Sequence, residues 1–145
     1  MKNNLRFVID TNVLISYLLS EHSKPGQSSA KAFGMGQVLL SEETLLEIMN
    51  VLYRQKFDKY VPLVIRKRFI KKLMQRTHLI ETSEKIIECR DRKDNKILEV
   101  AVSGQADCII SGDKDLLVLN PFRDIPILSP TDFLDWEPVL IQNLM

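Results

Sequence analysis

Short apolar runs alternate along this chain with longer stretches whose apolar positions recur at helical spacing. The first run, Leu5–Ile9, is rich in strand formers and stops abruptly at Asp10, which predicts a strand buried on both faces in a parallel sheet. A helix follows over residues 13–19, capped by Asp10 or Asn12, until the polar residues 21–29, which include Pro25 and Gly26, predict a loop. A second short helix is expected near residues 30–34. Residues 38–40 again read as strand, Ser41 is a good cap, and apolar positions 45, 48, 49 and 52 predict a helix over 42–53. Pro62 suits the first turn of a further helix reaching about Gln75, with a weaker strand over 78–81. The pattern ends with a helix over 91–102, a strand over Cys108–Ile110, a short helix over 113–119, a strand over 125–128 and a helical turn over 131–134. Strands alternating with helices predict an α/β fold: a three-layer α/β/α sandwich around a mostly parallel sheet of about five strands.

This topology brings four acidic stretches to one place. In a parallel sheet the carboxyl end of each strand leads into the amino end of its crossover helix, so strand-end and helix-start residues share an edge. Asp10 and Asp113 follow strands directly. Asp94 begins the helix whose far end leads into the Cys108 strand, which returns it to that edge, and it shares a helical stripe with Ile97, Leu98 and Ala101. Glu47 sits about a turn and a half into its helix, within reach of the same edge. Taken singly, each has an ordinary explanation. Asp10 and Asp113 cap helices, Asp91 and Asp94 favour a helix start, and Glu47 shares a polar face with positions 43, 50 and 54. Their convergence is what points to chemistry, because ligands of open α/β sheets bind at this edge. Clustered ionised carboxylates repel unless a cation sits between them, and an all-oxygen set without histidine or cysteine suits Mg²⁺ or Mn²⁺ rather than zinc.

Composition narrows the setting. A length of 145 residues, 45% hydrophobic and 27% charged, predicts one globular domain over residues 1–145. The formal net charge of +1 excludes no partner class, since a nucleic-acid binder keeps its basic residues in one patch. Cys89 and Cys108 form no CxxC pair and sit among apolar residues, which reads as reduced core thiols of a cytoplasmic protein. A polar start over residues 1–6 and the absence of any apolar segment near ~18 residues predict neither a signal peptide nor a membrane span. His22 and His78 are too isolated to be proposed as general bases.

The acidic stretches FVIDTNVLIS, LSEETLLEIMNVLYRQKF, CRDRKDNKILEVAV and ADCIISGDKDLLVL, in this order, resemble the motifs of PIN-domain ribonucleases, in particular VapC-like toxins of prokaryotic toxin-antitoxin pairs. The resemblance covers nearly the whole chain. It implies a metal-dependent endoribonuclease in which Asp10, Glu47, Asp94 and Asp113 bind Mg²⁺ or Mn²⁺, with Asp115 and Asp91 as further or alternative ligands. Thr11, Asn12 and Ser111 would orient them. It further implies hydrolysis of RNA to a 5′-phosphate and a 3′-hydroxyl, a cognate antitoxin protein and a homodimer. Where the family usually carries a further acidic residue or a proline, this chain has Arg92 and Lys93.

Between Arg54 and Arg76 the basic residues Arg54, Lys56, Lys59, Arg66, Lys67, Arg68, Lys71, Lys72 and Arg76 face a single acid, Asp58, giving the segment a net charge of +8. A solvated face would carry both signs, so Arg54, Lys56, Arg66, Lys67, Lys71 and Lys72 are expected to contact RNA phosphates. Phe69 lies at core spacing. Two rival readings remain at this point. A haloacid-dehalogenase-like phosphatase also joins an early strand-end aspartate to a late GD motif, but it needs an aspartate where this chain has Asn12. A catalytically silent PIN module holding RNA or protein is the other.

Overall fold

A computed structural model of the protein describes residues 5–138, so residues 1–4 of the polar amino-terminal stretch lie outside it. Successive side chains of a strand point to opposite faces, and here that alternation divides the core in two. Phe7 and Ile9 of β1 (Leu5–Ile9), Val38 and Leu40 of β2 (Gly36–Leu40), and Cys108 and Ile110 of β4 (Cys108–Ile110) enter one core. Val8, Leu39 and Ile109 enter the other. Apolar stripes of α1 (Thr11–Leu19), α2 (Lys24–Met35), α3 (Glu42–Leu52), α4 (Leu63–Arg76) and α7 (Pro130–Leu134) close the first core. The second is closed by α5 (Arg92–Ser103) and α6 (Lys114–Leu117). With β3 (Thr77–Leu79) and β5 (Ile127–Leu128), the sheet has five strands in the order β3-β2-β1-β4-β5, every neighbouring pair parallel. This is the expected three-layer sandwich.

The order places β1 and β4 side by side at the centre, with Ile9 opposite Ile110. Pairing continues one residue past the end of β1, where the Asp10 amide donates to the Ile110 carbonyl at 2.9 Å. Asp10 is thus pinned beside the chain leaving β4.

The structure departs from the sequence reading between residues 21 and 34. Part of the expected loop is the start of α2, because Ser23 caps the helix by accepting from the Gly26 amide at 3.1 Å and Pro25 lies in the first turn, where its missing N–H costs nothing. Gly26 is needed there: a Cβ would lie 2.4 Å from the Ser20 carbonyl oxygen. Near the carboxyl end, β5 is confined to Ile127 and Leu128, while Ile125 instead forms an antiparallel bridge with Phe122. Among the described residues no helix is long and apolar enough to cross a membrane. Cys89 and Cys108 are both free thiols, the latter fully buried.

Candidate metal centre and its surroundings

Asp10 at the end of β1, Asp94 in the first turn of α5 and Asp113 after β4 each bring one carboxylate oxygen within 4.8 Å of the others. Local hydrogen bonds set this up. The Asp10 backbone starts α1 by accepting from the Val13 and Leu14 amides at 3.0 and 3.1 Å, which leaves its side chain free of capping. The Ser111 hydroxyl donates to Asp10 Oδ2 at 2.7 Å and accepts from the Asp113 amide at 3.0 Å, so one buried hydroxyl ties two of the acidic positions together. Asp113 caps α6, accepting from the Asp115 amide at 2.9 Å. Asp91 caps α5 by accepting from the Lys93 amide at 3.0 Å, which frees Asp94 one turn later to point inward.

Asp94 is 0% exposed, and neither of its carboxylate oxygens has a hydrogen-bond partner. Its pKa is pushed up to about 7, first by burial and then by the negative charges of Asp113 and Asp10. Burial also raises the pKa of Asp10, against the Ser111 hydroxyl, the Lys93 ammonium and the Thr11 backbone, which favour its charged form. A buried carboxylate without donors is among the costliest groups a fold can carry, and a hard divalent cation removes that cost by accepting oxygen ligands. The residues present therefore fit Mg²⁺ or Mn²⁺.

A pH dependence follows. A carboxylate whose folded-state pKa lies above its unfolded value binds protons better in the folded chain. Between about pH 4 and pH 7 the metal-free protein should therefore lose stability as pH rises, by up to ~1.4 kcal/mol per unit from Asp94. Denaturant unfolding in chelator at pH 4.5 and 7.5 checks this, with the parent losing ground to Asp94→Asn at the higher pH. A constant difference between the two proteins would mean that Asp94 is not strained by its neighbours.

The other expected ligands lie elsewhere. Glu47, half-buried on α3, is outside the three-carboxylate group and lines an adjoining cleft of about 370 Å³ with Thr11, Glu43, Asp91, Arg92, Lys93 and Lys96. Asp115 is also outside the group. Its carboxylate is held by Arg90, whose Nε and Nη2 donate at 3.1 and 3.3 Å. Asn12 is exposed and borders a second recess, of about 330 Å³, that reaches Asp10, Gly112 and Asp113.

Arg54, Lys56, Lys67, Lys71 and Lys72 are exposed, as phosphate contacts require, but Arg66 corrects the sequence reading. It is 1% exposed: its Nε donates to the Val61 carbonyl at 3.0 Å, its Nη1 to the Leu52 carbonyl at 2.7 Å, and its Nη2 pairs with Asp58. The guanidinium is spent inside the fold and cannot reach a phosphate. The signal was present in the sequence, because Arg66, Ile70 and Leu73 share one helical face and all three are buried. Phe69 packs partly buried against the core, in edge contact with Tyr17.

A family model described as PIN domain matches residues 6–115, a span that runs from β1 into α6 and contains Asp10, Glu47, Asp94 and Asp113. The chain belongs to the PIN-domain family. An uncharacterised protein of Methanocaldococcus jannaschii, MJ1680, is 34% identical to this PIN domain over 123 residues, which is 82% of this chain and 77% of the relative. Among solved structures, PAE2754 of Pyrobaculum aerophilum superposes with a TM-score of 0.60 at 16% identity, over 93% of this chain and 92% of the other. VapBC2 of Rickettsia felis, solved bound to a DNA fragment from its promoter, superposes with a TM-score of 0.60 at 11% identity, over 86% and 98%. At these identities the likeness is one of fold, and the PIN fold is what the three share.

Proposed function

We propose that this PIN domain is a Mg²⁺- or Mn²⁺-dependent endoribonuclease of the cytoplasm, the toxin half of a toxin-antitoxin pair, working as a homodimer. The observation that carries the reading is Asp94, buried with both oxygens unpartnered between Asp10 and Asp113. Family membership supports a nuclease, and the fold shared with VapBC2 supports an antitoxin partner.

In this reading Asp10, Asp94 and Asp113 hold the ion, with Glu47 facing the substrate from the neighbouring cleft. Such an ion supplies a water of lowered pKa and stabilises charge on the phosphate oxygens. The protein's own part is geometric. Ser111 fixes the Asp10 carboxylate against the Asp113 backbone, Asp91 and Asp113 fix the starts of α5 and α6, and the sheet edge holds the three acids before substrate arrives. No nucleophilic side chain is required.

Incubation with a mixed RNA pool and, separately, with a phosphomonoester in Mn²⁺ tests the substrate class. RNA cleavage to 5′-phosphate ends without release of phosphate from the monoester is expected. Phosphate release would favour a phosphatase, against which PIN membership and Asn12 already weigh. Mn²⁺ binding without any cleavage would point to a silent binding module.

The basic face of α4 is proposed to guide the RNA. Neutralising Lys67, Lys71 and Lys72 to Gln should weaken binding of two unrelated RNAs alike and lower the salt slope by about 0.7 per lost phosphate contact. Arg66 is left intact in this test because its loss would disturb the fold. An unchanged slope would assign the three lysines to solvent or to the antitoxin.

A further inference from the structure

The cleft beside the metal centre carries a charge pattern that the three carboxylates alone do not explain. Three ionised aspartates and one divalent ion leave a net negative charge, against which an incoming phosphodiester would have to approach. A second cation would relieve this, yet the further acids expected at this edge, Glu47, Asp91 and Asp115, all stand outside the group. Lys93 is the side chain placed to supply the missing positive charge.

Three cations line the cleft between α3 and α5, and two of them are committed. Lys96 is 16% exposed and held between Glu43 at 3.2 Å and Glu99 at 3.1 Å. Arg92 lies on the outer surface, 3.9 Å from Glu43. Lys93 differs. It is half-buried, directly precedes Asp94, and makes no ion pair within 4.0 Å among the described residues. Its backbone is fixed by the Asp91 cap at 3.0 Å, and it lines the cleft together with Thr11, the residue that follows Asp10. An unpaired cation that lines an open cleft beside a buried anionic centre suits a phosphate oxygen.

We propose that Lys93 binds a phosphodiester oxygen of the RNA strand as it passes from the α3–α5 cleft into the aspartate centre, taking the place of a second cation. The inference rests on the nuclease reading above. Here Lys93 is a substrate-binding residue, and the strand's path is assigned to the cleft that Thr11 and Glu47 also line.

The test uses the full chain with Lys93→Met and Lys93→Arg. Single-stranded RNA binding is titrated over a salt series with Ca²⁺ in place of Mn²⁺, each RNA being run on a gel afterwards to show that it is intact. Mn²⁺ affinity is measured separately by calorimetry. Lys93→Met should weaken RNA binding ~10-fold and lower the salt slope by about 0.7. It should also tighten Mn²⁺ binding several-fold, because a positive charge beside the centre is removed. Lys93→Arg should stay near the parent in both. A distorted fold would weaken both ligands, so the opposite signs separate the proposal from a structural role. Unchanged RNA affinity in Lys93→Met overturns it, as does weaker Mn²⁺ binding. Lost RNA affinity with unaltered Mn²⁺ binding overturns the charge-replacing role. A parent protein that binds no Mn²⁺ overturns the nuclease reading itself, and this proposal with it.

Discussion

Asp94→Asn, Asp10→Asn and Asp113→Asn should each lower RNA cleavage by at least ~100-fold under saturating Mn²⁺, because each removes a charged oxygen ligand from a preorganised centre at almost constant volume. The same substitutions should not unfold the protein. In Asp94→Asn the metal-free chain should be more stable at pH 7.5 than the parent, since a carboxylate that is fully buried, unpartnered and repelled by Asp10 and Asp113 is replaced by a neutral amide. Single-turnover cleavage and thermal unfolding, measured on the same samples, separate the two effects. A variant that cleaves at the parent rate would remove its residue from the metal centre.

The second large effect is on stability. Arg66→Ala should cost about 3 kcal/mol and lower Tm by roughly 10 °C, because the change orphans the Leu52 and Val61 carbonyls and empties the space of a fully buried side chain. The guanidinium ties the end of α3 to the start of α4. Its loss should therefore loosen the helix that carries Glu47 as well as the basic helix beyond it. Lys67→Ala, one residue on and exposed, should change stability by no more than about 0.5 kcal/mol. Thermal unfolding of the pair decides the matter: equal Tm values would mean that Arg66 is a surface charge after all.

Much of the fold was legible because the central strands end in the apolar runs 7–9, 38–40 and 108–110, bounded by Asp10, Ser41 and Ser111, and because most helices begin at recognisable caps. Residues 21–29 misled for a physical reason: Pro and Gly are turn residues, yet after Ser23 they also suit a helix start. The convergence of Asp10, Asp94 and Asp113 could be anticipated from strand ends and from the stripe that Asp94 shares with Ile97 and Leu98. Glu47 could not be placed that way, since a half-exposed position on α3 depends on how far that helix sits from α5. Arg66 was read by its charge when its spacing with Ile70 and Leu73 carried the better information. Lys93 escaped notice as a phosphate ligand because its freedom from ion pairs is visible only once Glu43, Lys96 and Glu99 are seen to pair among themselves.

The most direct test of the central claim is a calorimetric titration of Mn²⁺ into the parent protein and Asp94→Asn at pH 6, followed by addition of a labelled RNA to the same samples with and without chelator. The parent should bind Mn²⁺ with release of a proton from Asp94, cleave the RNA, and stop when the metal is chelated, while Asp94→Asn should bind Mn²⁺ more weakly, without that proton release, and cleave at least ~100-fold more slowly. Cleavage that survives chelation, or parent-like binding and cleavage by Asp94→Asn, would contradict the account.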